Sequence, residues 1–352
     1  MSTDQKSIIT LLHGAGGSYM HNLIKEVFLS LYDGFGDVGL NMLDDAAVVN
    51  GVVFTTDSYT VRPIFFKGGD IGKLAVSGTV NDIAMMGGDP VALSLAMVIE
   101  EGFKKDDLVK IKESIKKTAE EAGVHIVTGD TKVMERGSLD KIIINTAGIG
   151  FRSKALEHNF QVLRKTREIK VEWLVPINIR PGDKIIVSGT IGDHVIAIMS
   201  SREGIEFEVN VESDVAPLNK MMNVALEVGG IADAKDPTRG GLADVLNDLR
   251  EKSGLGIYIR ESDIPVREEV RSAIEFLGID LLELGNEGKA VLVVSPEVVN
   301  DVLEALWSTP WGKNAAVIGE VSKEYEDVIL ETAVGGKRIV GRPIGDPVPR
   351  IC

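Results

Sequence analysis

The chain has 352 residues, 44% of them hydrophobic, and a formal net charge of −15 from 38 Lys and Arg against 53 Asp and Glu. This is ordinary for a globular protein of about two domains, and the acidic balance argues against a nucleic-acid groove. With three Trp and five Tyr a base-stacking platform is not expected, whereas a small anion held through a divalent metal stays open. The single cysteine, Cys352, forms no internal disulfide. No basic-then-apolar opening and no run near the ~18–20 apolar residues of a membrane span is visible, so the expectation is a cytoplasmic protein with no membrane partner.

In chain order, His13-Gly14-Ala15-Gly16-Gly17-Ser18 precedes Leu23, Ile24, Val27, Phe28 and Leu31 at helical spacing. A Gly-rich turn before a helix is an anion site or, equally well on spacing alone, a flexible arm. Asn50-Gly51 between β-branched runs predicts a hairpin that brings Asp44, Asp45 and Asp57 to one sheet edge. A helix is expected over 70–86 and strands over 91–99, 125–128 and 142–149. A helix capped by Asp106 or Asp107 is expected to run to Ala122 and stop at Gly123. Residues 152–175, with Arg164-Lys165-Thr166-Arg167, read as a solvated linker or insertion.

The pattern restarts at Pro181-Gly182-Asp183. Strands are expected at 184–188, near Ile257, at 291–294 and near Val317. Helices are expected at 194–201, 218–228, 241–250, 268–277 and, capped by Ser295, 296–306. Residues 335–352 contain four Gly and three Pro without an amphipathic period, and read as a mobile tail. The expected organisation is an arm (1–40), an N-terminal domain (41–152), a linker (153–175), a C-terminal domain (176–334) and that tail.

Gly34-Phe35-Gly36-Asp37-Val38-Gly39 matches a dinucleotide fingerprint but lacks the strand before and the helix after. No phosphate-binding Gly-Lys-Ser/Thr loop occurs, and the five His show no zinc spacing. What remains is a set of aspartates at element ends: Asp44, Asp45, Asp57, Asp82, Asp130 and Asp236. Each alone is an ordinary turn or cap residue. Together they suggest Mg²⁺ held against a polyphosphate, with Arg239 and the amides of Gly240 and Gly241 meeting phosphate oxygens.

The order of Asp44-Asp45-Ala46-Ala47, Thr56-Asp57-Ser58, Asn81-Asp82-Ile83-Ala84-Met85-Met86-Gly87, Gly129-Asp130-Thr131 and Asp236-Pro237-Thr238-Arg239-Gly240-Gly241 resembles the PurM-like ATP-binding superfamily. Its members include aminoimidazole ribonucleotide synthetase, thiamine-phosphate kinase and selenophosphate synthetase. Within it, His13–Gly17, Thr128–Val133, Ser188–His194, Asn286-Glu287-Gly288-Lys289 and above all Pro349-Arg350-Ile351-Cys352 are similar to the HypE family of hydrogenase maturation proteins, which are carbamoyl dehydratases. The likeness runs over nearly the whole chain but is weak at 152–175.

The resemblance implies an α+β fold: an N-terminal β-rich domain forming a barrel across a homodimer, a C-terminal α/β domain and a flexible tail. It implies that a HypF-like carbamoyltransferase loads Cys352, that ATP drives dehydration to a thiocyanate, and that a HypC–HypD complex accepts the nitrile for hydrogenase iron. It also implies site roles. Cys352, Glu287 and Lys132 are catalytic, with Glu287 the preferred base and Lys132 the runner-up. Gly16, Gly17, Lys73, Asn81, Asp130, Arg239, Gly240 and Gly241 bind ATP. Asp45, Asp57, Asp82 and Asp236 hold Mg²⁺. A small-molecule kinase of the same superfamily would leave Cys352 without a role, and an adaptor that only docks its tail would turn over no ATP.

Overall fold

The computed structural model describes residues 8–202, 210–345 and 347–352. The Gly-rich arm leads into a short helix, α1 (Gly17–Leu23). The chain then turns to Leu31 with Val27, Phe28 and Leu31 largely exposed, so the apolar face expected there is uncovered within the chain.

Strands β1 (Ala47–Val49) and β2 (Val52–Tyr59) form the expected hairpin. Its turn residues Asn50 and Gly51 have φ of 52° and 78°, the left-handed pair that a tight hairpin turn requires. A small ribbon, β3 (Phe65–Phe66) and β4 (Gly69–Asp70), precedes helix α2 (Ile71–Met85). Asp70 caps α2 by accepting from the amides of Gly72 and Lys73 at 2.7 and 3.0 Å. Then come β5 (Gly88–Glu100), α3 (Lys105–Ala122), β6 (His125–Met134) and β7 (Ile142–Arg152). Lys104 holds the cap position of α3, and Asp106 and Asp107 lie in its first turn instead, where they oppose the positive end of the helix dipole.

These strands build a five-stranded sheet in the order β1-β2-β7-β5-β6, antiparallel except for β5 and β6. In β2, Val53, Thr55 and Tyr59 are buried on one face, and α2 packs across that face. On the other face Phe54, Ile149 and Phe151 are 47%, 38% and 49% exposed. Strand β6 at the sheet edge is exposed throughout. It runs on to Met134, so Gly129-Asp130-Thr131-Lys132 is strand and not the loop expected after Thr128.

The linker is built rather than solvated. Helix α4 (Lys154–Leu163) buries Leu156, Phe160 and Leu163, and Trp173, Leu174 and Val175 are buried beyond it. Arg167, from the basic cluster, is buried and grips Asp183 through two 2.6 Å bonds. A polar-looking sequence hides this because the charge that resembles a solvated face is neutralised inside.

The second half contains β8 (Lys184–Val187), α5 (Asp193–Ser200), α6 (Asn219–Val228), β9 (Ile231–Lys235), α7 (Gly241–Ser253), β10 (Gly256–Arg260), α8 (Glu268–Leu277), β11 (Val291–Val294), α9 (Val299–Trp307), β12 (Ala316–Ser322), β13 (Val328–Glu331) and β14 (Lys337–Ile339). The sheet order is β14-β13-β10-β12-β8-β11-β9, and β9 and β11 are buried along their whole length. Ser295 does not cap α9, which starts after Val298; its hydroxyl accepts from Arg167.

The segment expected to be mobile is docked. β14 pairs with β13, the carbonyl of Pro343 accepts from the amide of Ser18, and Val348 and Ile351 are 3% and 1% exposed. Backbone bonds and isolated apolar anchors hold it, and neither produces a period in the sequence. Among the described residues no helix is long and apolar enough to cross a membrane.

Candidate functional site

A cleft of about 310 Å³ opens where the hairpin, α2, the turn before α7 and the docked end of the chain meet. Asp44, Asp45, Asp57, Asp82, Asp236, Arg239, Glu287 and Cys352 all line it. They arrive from several distant segments. Asp45 sits just before β1, Asp57 on β2, Asp82 in the last turn of α2, and Asp236 just after β9. The backbone carbonyl of Asp45 and Oδ2 of Asp82 both accept from the Thr55 hydroxyl, at 3.3 and 2.6 Å, and Tyr59 donates to Asp57 at 3.2 Å.

Burial pushes Asp82 and Asp236 well above the usual carboxylate range, and neighbouring carboxylates push them further: Asp57 on Asp82, Asp45 on Asp236. Burial raises Asp45 to about 7 although Lys235 pulls the other way. The same desolvation, reinforced by Asp214, takes Glu287 to about 8, while a hydrogen bond with Cys352 pulls it down. Such crowding costs free energy unless a cation is present.

One internal cation is Lys235. It is buried, bonds Asp44, and lies 3.7 Å from both Asp45 and Asp248. Burial alone would depress it, but the surrounding carboxylates keep its ammonium charged well above the ordinary lysine range. The sequence reading missed Lys235, because β9, the wholly buried strand that it ends, was not expected.

Lys235 leaves the acidic wall incompletely compensated. Oδ2 of Asp44, Oδ2 of Asp45 and Oε1 of Glu287 are buried without a hydrogen-bond partner. These are oxygen donors suited to a hard divalent cation. Among the described residues no three acidic or imidazole side chains close into a preformed metal cage. A divalent cation bound here would complete its shell with water and phosphate oxygens.

Arg239 faces the acids, and the charge on Cys352 is the largest influence holding its guanidinium charged. It donates to the carbonyl of Gly14 at 3.1 Å, tying the arm to the cleft. Gly16 has φ 75°, and a Cβ there would lie 2.8 Å from the backbone of Arg239, so only glycine allows this approach. Gly17 is packed on the carbonyl of Pro343. Gly240 and Gly241, both at positive φ, open α7 beside Arg239.

Eight site residues singled out in the sequence lie outside the cleft lining: the four glycines just described, and Lys73, Asn81, Asp130 and Lys132. Asn81 is buried one residue before Asp82, donating to the carbonyl of Ala216 and accepting from the amide of Leu218 at 3.1 and 2.8 Å; it fastens α2 to the C-terminal half. Lys73 donates to the carbonyl of Gly68 at 3.1 Å. Asp130 and Lys132 pair with each other at 3.1 Å on exposed β6.

Two halves around a shared acidic cleft define an AIR synthase related protein. The family models for its N-terminal and C-terminal domains match residues 43–151 and 180–331. Within that class the chain belongs to the HypE family. It is 43% identical to the carbamoyl dehydratase HypE of Bradyrhizobium diazoefficiens, over 98% of this chain and 96% of that one. A crystal structure of a HypE–HypF complex matches with a TM-score of 0.83 at 46% identity, covering 91% of this chain and 99% of that chain. A structure of HypE in complex with ATP matches with a TM-score of 0.78 at 41% identity, covering 98% and 100%.

Proposed function

We propose that this chain is an ATP-dependent carbamoyl dehydratase whose substrate is a carbamoyl group on its own Cys352. The observation that carries this reading is the position of Cys352: it lies in the acidic cleft, bonded with Glu287 and facing Arg239. No small-molecule kinase needs a thiol of its own there.

The chemistry follows from the groups present. An amide oxygen is a poor leaving group. Transfer of the γ-phosphoryl group of ATP to the oxygen of the S-carbamoyl group releases ADP, and loss of one N–H proton leaves an O-phosphorylated imidate. Loss of the second N–H proton with expulsion of phosphate gives S–C≡N. Glu287 is the base nearest the sulfur, and its raised pKa suits proton transfer near neutral pH. Asp45, Asp57, Asp82 and Asp236 would hold Mg²⁺, which shields the phosphate charge when bound. Arg239, with the amides of Gly240 and Gly241 and the loop of Gly16 and Gly17, would meet the phosphates. Asn81 keeps Asp82 in place, and Lys73 completes the ATP contacts expected from the family.

A HypF-like carbamoyltransferase supplies the group, as the relative captured in a HypE–HypF complex supports, and a HypC–HypD complex receives the nitrile for [NiFe]-hydrogenase iron. Residues 340–352, beyond β14, fully extended at ~3.3 Å each span on the order of 40 Å, a tether that carries Cys352 out of the cleft once undocked. The exposed apolar face of the N-terminal sheet supports a homodimer closed into a barrel. In that assembly Asp130 and Lys132 would serve the cleft of the second copy, Lys132 as the alternative proton acceptor.

The deciding experiment is mass spectrometry of the carbamoylated chain before and after MgATP. Loss of one water from the peptide carrying Cys352 is expected, and none in Asp82→Asn or Asp236→Asn, which also bind MgATP at least tenfold more weakly. An unchanged mass in the wild-type chain overturns the assignment and leaves an adaptor or a kinase.

A further inference from the structure

His194 lies in the first turn of α5, is fully buried, and is not part of the cleft lining. Its Nε2 lies 2.9 Å from the carbonyl oxygen of Ile351, the residue before the thiol, and its Nδ1 lies 2.7 Å from the hydroxyl of Ser213. A carbonyl only accepts, so Nε2 carries the proton and Nδ1 accepts from Ser213. Ser213 Oγ in turn accepts from the amide of Val215 at 3.1 Å. The ring is thereby fixed in one tautomer, with its single N–H aimed at the chain end.

The neighbouring carbonyls are caught as well. Arg202 Nη2 donates to those of Pro349 and Arg350 at 2.6 and 3.2 Å, and the Thr60 hydroxyl to that of Cys352 at 3.3 Å. The side chain of Ile351 fills a socket beside Gly285, where a Cβ would come within 2.4 Å of its Cδ1.

We propose that His194 is the positioning residue of a tail latch: its imidazole N–H, helped by Arg202, holds the Ile351 carbonyl so that the sulfur of Cys352 rests at Glu287. The His194 bond is neutral and made to backbone, so it grips the chain without contacting the cargo on sulfur, while Arg350, paired with Asp140 at 2.7 Å, adds a charged hold on the same segment. This builds on the reading of Cys352 as the carrier, but its test does not require turnover.

The test is the rate at which iodoacetamide alkylates Cys352 in the full-length chain, read as a single mass increment. Loss of one hydrogen bond of ordinary net strength corresponds to about a fivefold shift toward the undocked state. His194→Ala is therefore expected to label about fivefold faster than wild type. His194→Gln, which keeps an N–H near the Nε2 position, should label within about twofold of wild type. ATP affinity measured alongside reports an intact cleft. Single-turnover dehydration should slow in His194→Ala and recover in His194→Gln. Should His194→Ala lose ATP binding through misfolding, the half-exposed Arg202→Ala decides, with faster labelling expected. Wild-type labelling rates in a folded His194→Ala, equal rates in the Ala and Gln variants, or an unchanged rate in Arg202→Ala where that variant decides, overturn the latch. A latch that behaves as expected while wild type loses no water would leave the docking intact and remove the dehydratase reading instead.

Discussion

The wall of the cleft and strand β6 carry the same kind of residue to opposite fates. In the cleft, Asp45, Asp82 and Asp236 come from distant segments, lose water and crowd together against one buried lysine. On β6, Asp130 and Lys132 stand in solvent and neutralise each other. The motifs look equivalent in the sequence, each an aspartate beside small residues. The difference is that the first set converges within one chain, whereas the second stands in solvent there. A surface ion pair such as Asp130–Lys132 contributes little by itself.

The sharpest break of that contrast is Lys235→Met. Removing the internal cation leaves Asp44 and Asp45 uncompensated, and unfolding by denaturant should show a loss of about 3–5 kcal/mol. A loss below about 1 kcal/mol would mean that the acids do not depend on it. The corresponding blow to β6 is Val133→Asp, at a side chain 68% exposed in the single chain. It should leave the fold unchanged and convert a dimer to monomers in sedimentation; a persisting dimer would place the interface elsewhere.

A smaller effect is the pH dependence of the metal-free protein. Asp45 and Glu287 titrate near 7 and 8 in the folded state, above their unfolded values. The folded chain therefore holds protons that the unfolded chain has released. Their stabilisation is full below the ordinary carboxylate range and is lost as pH rises through 7 to 8. The melting temperature without metal should fall between pH 6 and 8.5, and MgATP should flatten the slope. A melting temperature that rises over that interval would contradict the crowding.

How much of this is legible in the sequence differs by element. The Asn50-Gly51 hairpin and helix α2 are local, set by turn chemistry and apolar spacing, and they fall where expected, although the capping role of Asp70 was not foreseen. So do Gly123 at the end of α3 and the bounds of α8 and β11. The aspartates of the cleft are legible as a set because each sits at an element end. Strand β9 is not, since five buried residues ending in Asp233-Ala234-Lys235 look too charged for a core strand. Likewise α4 and Arg167 read as solvent, because only tertiary pairing with Asp183 reveals a buried charge. The docked end is invisible for a related reason: carbonyls make most of its contacts, and every residue has one.

The Arg167–Asp183 clamp has a mechanical consequence. That buried bidentate pair and Asn159, bonded to the backbone of Ile231, fix residues 153–175 to the C-terminal half, and Asn81, bonded to Ala216 and Leu218, fastens the N-terminal half across to it. The C-terminal half therefore carries residues 153–175 with it as one body, while the chain beyond β14 is tied to that body separately, through its own backbone bonds.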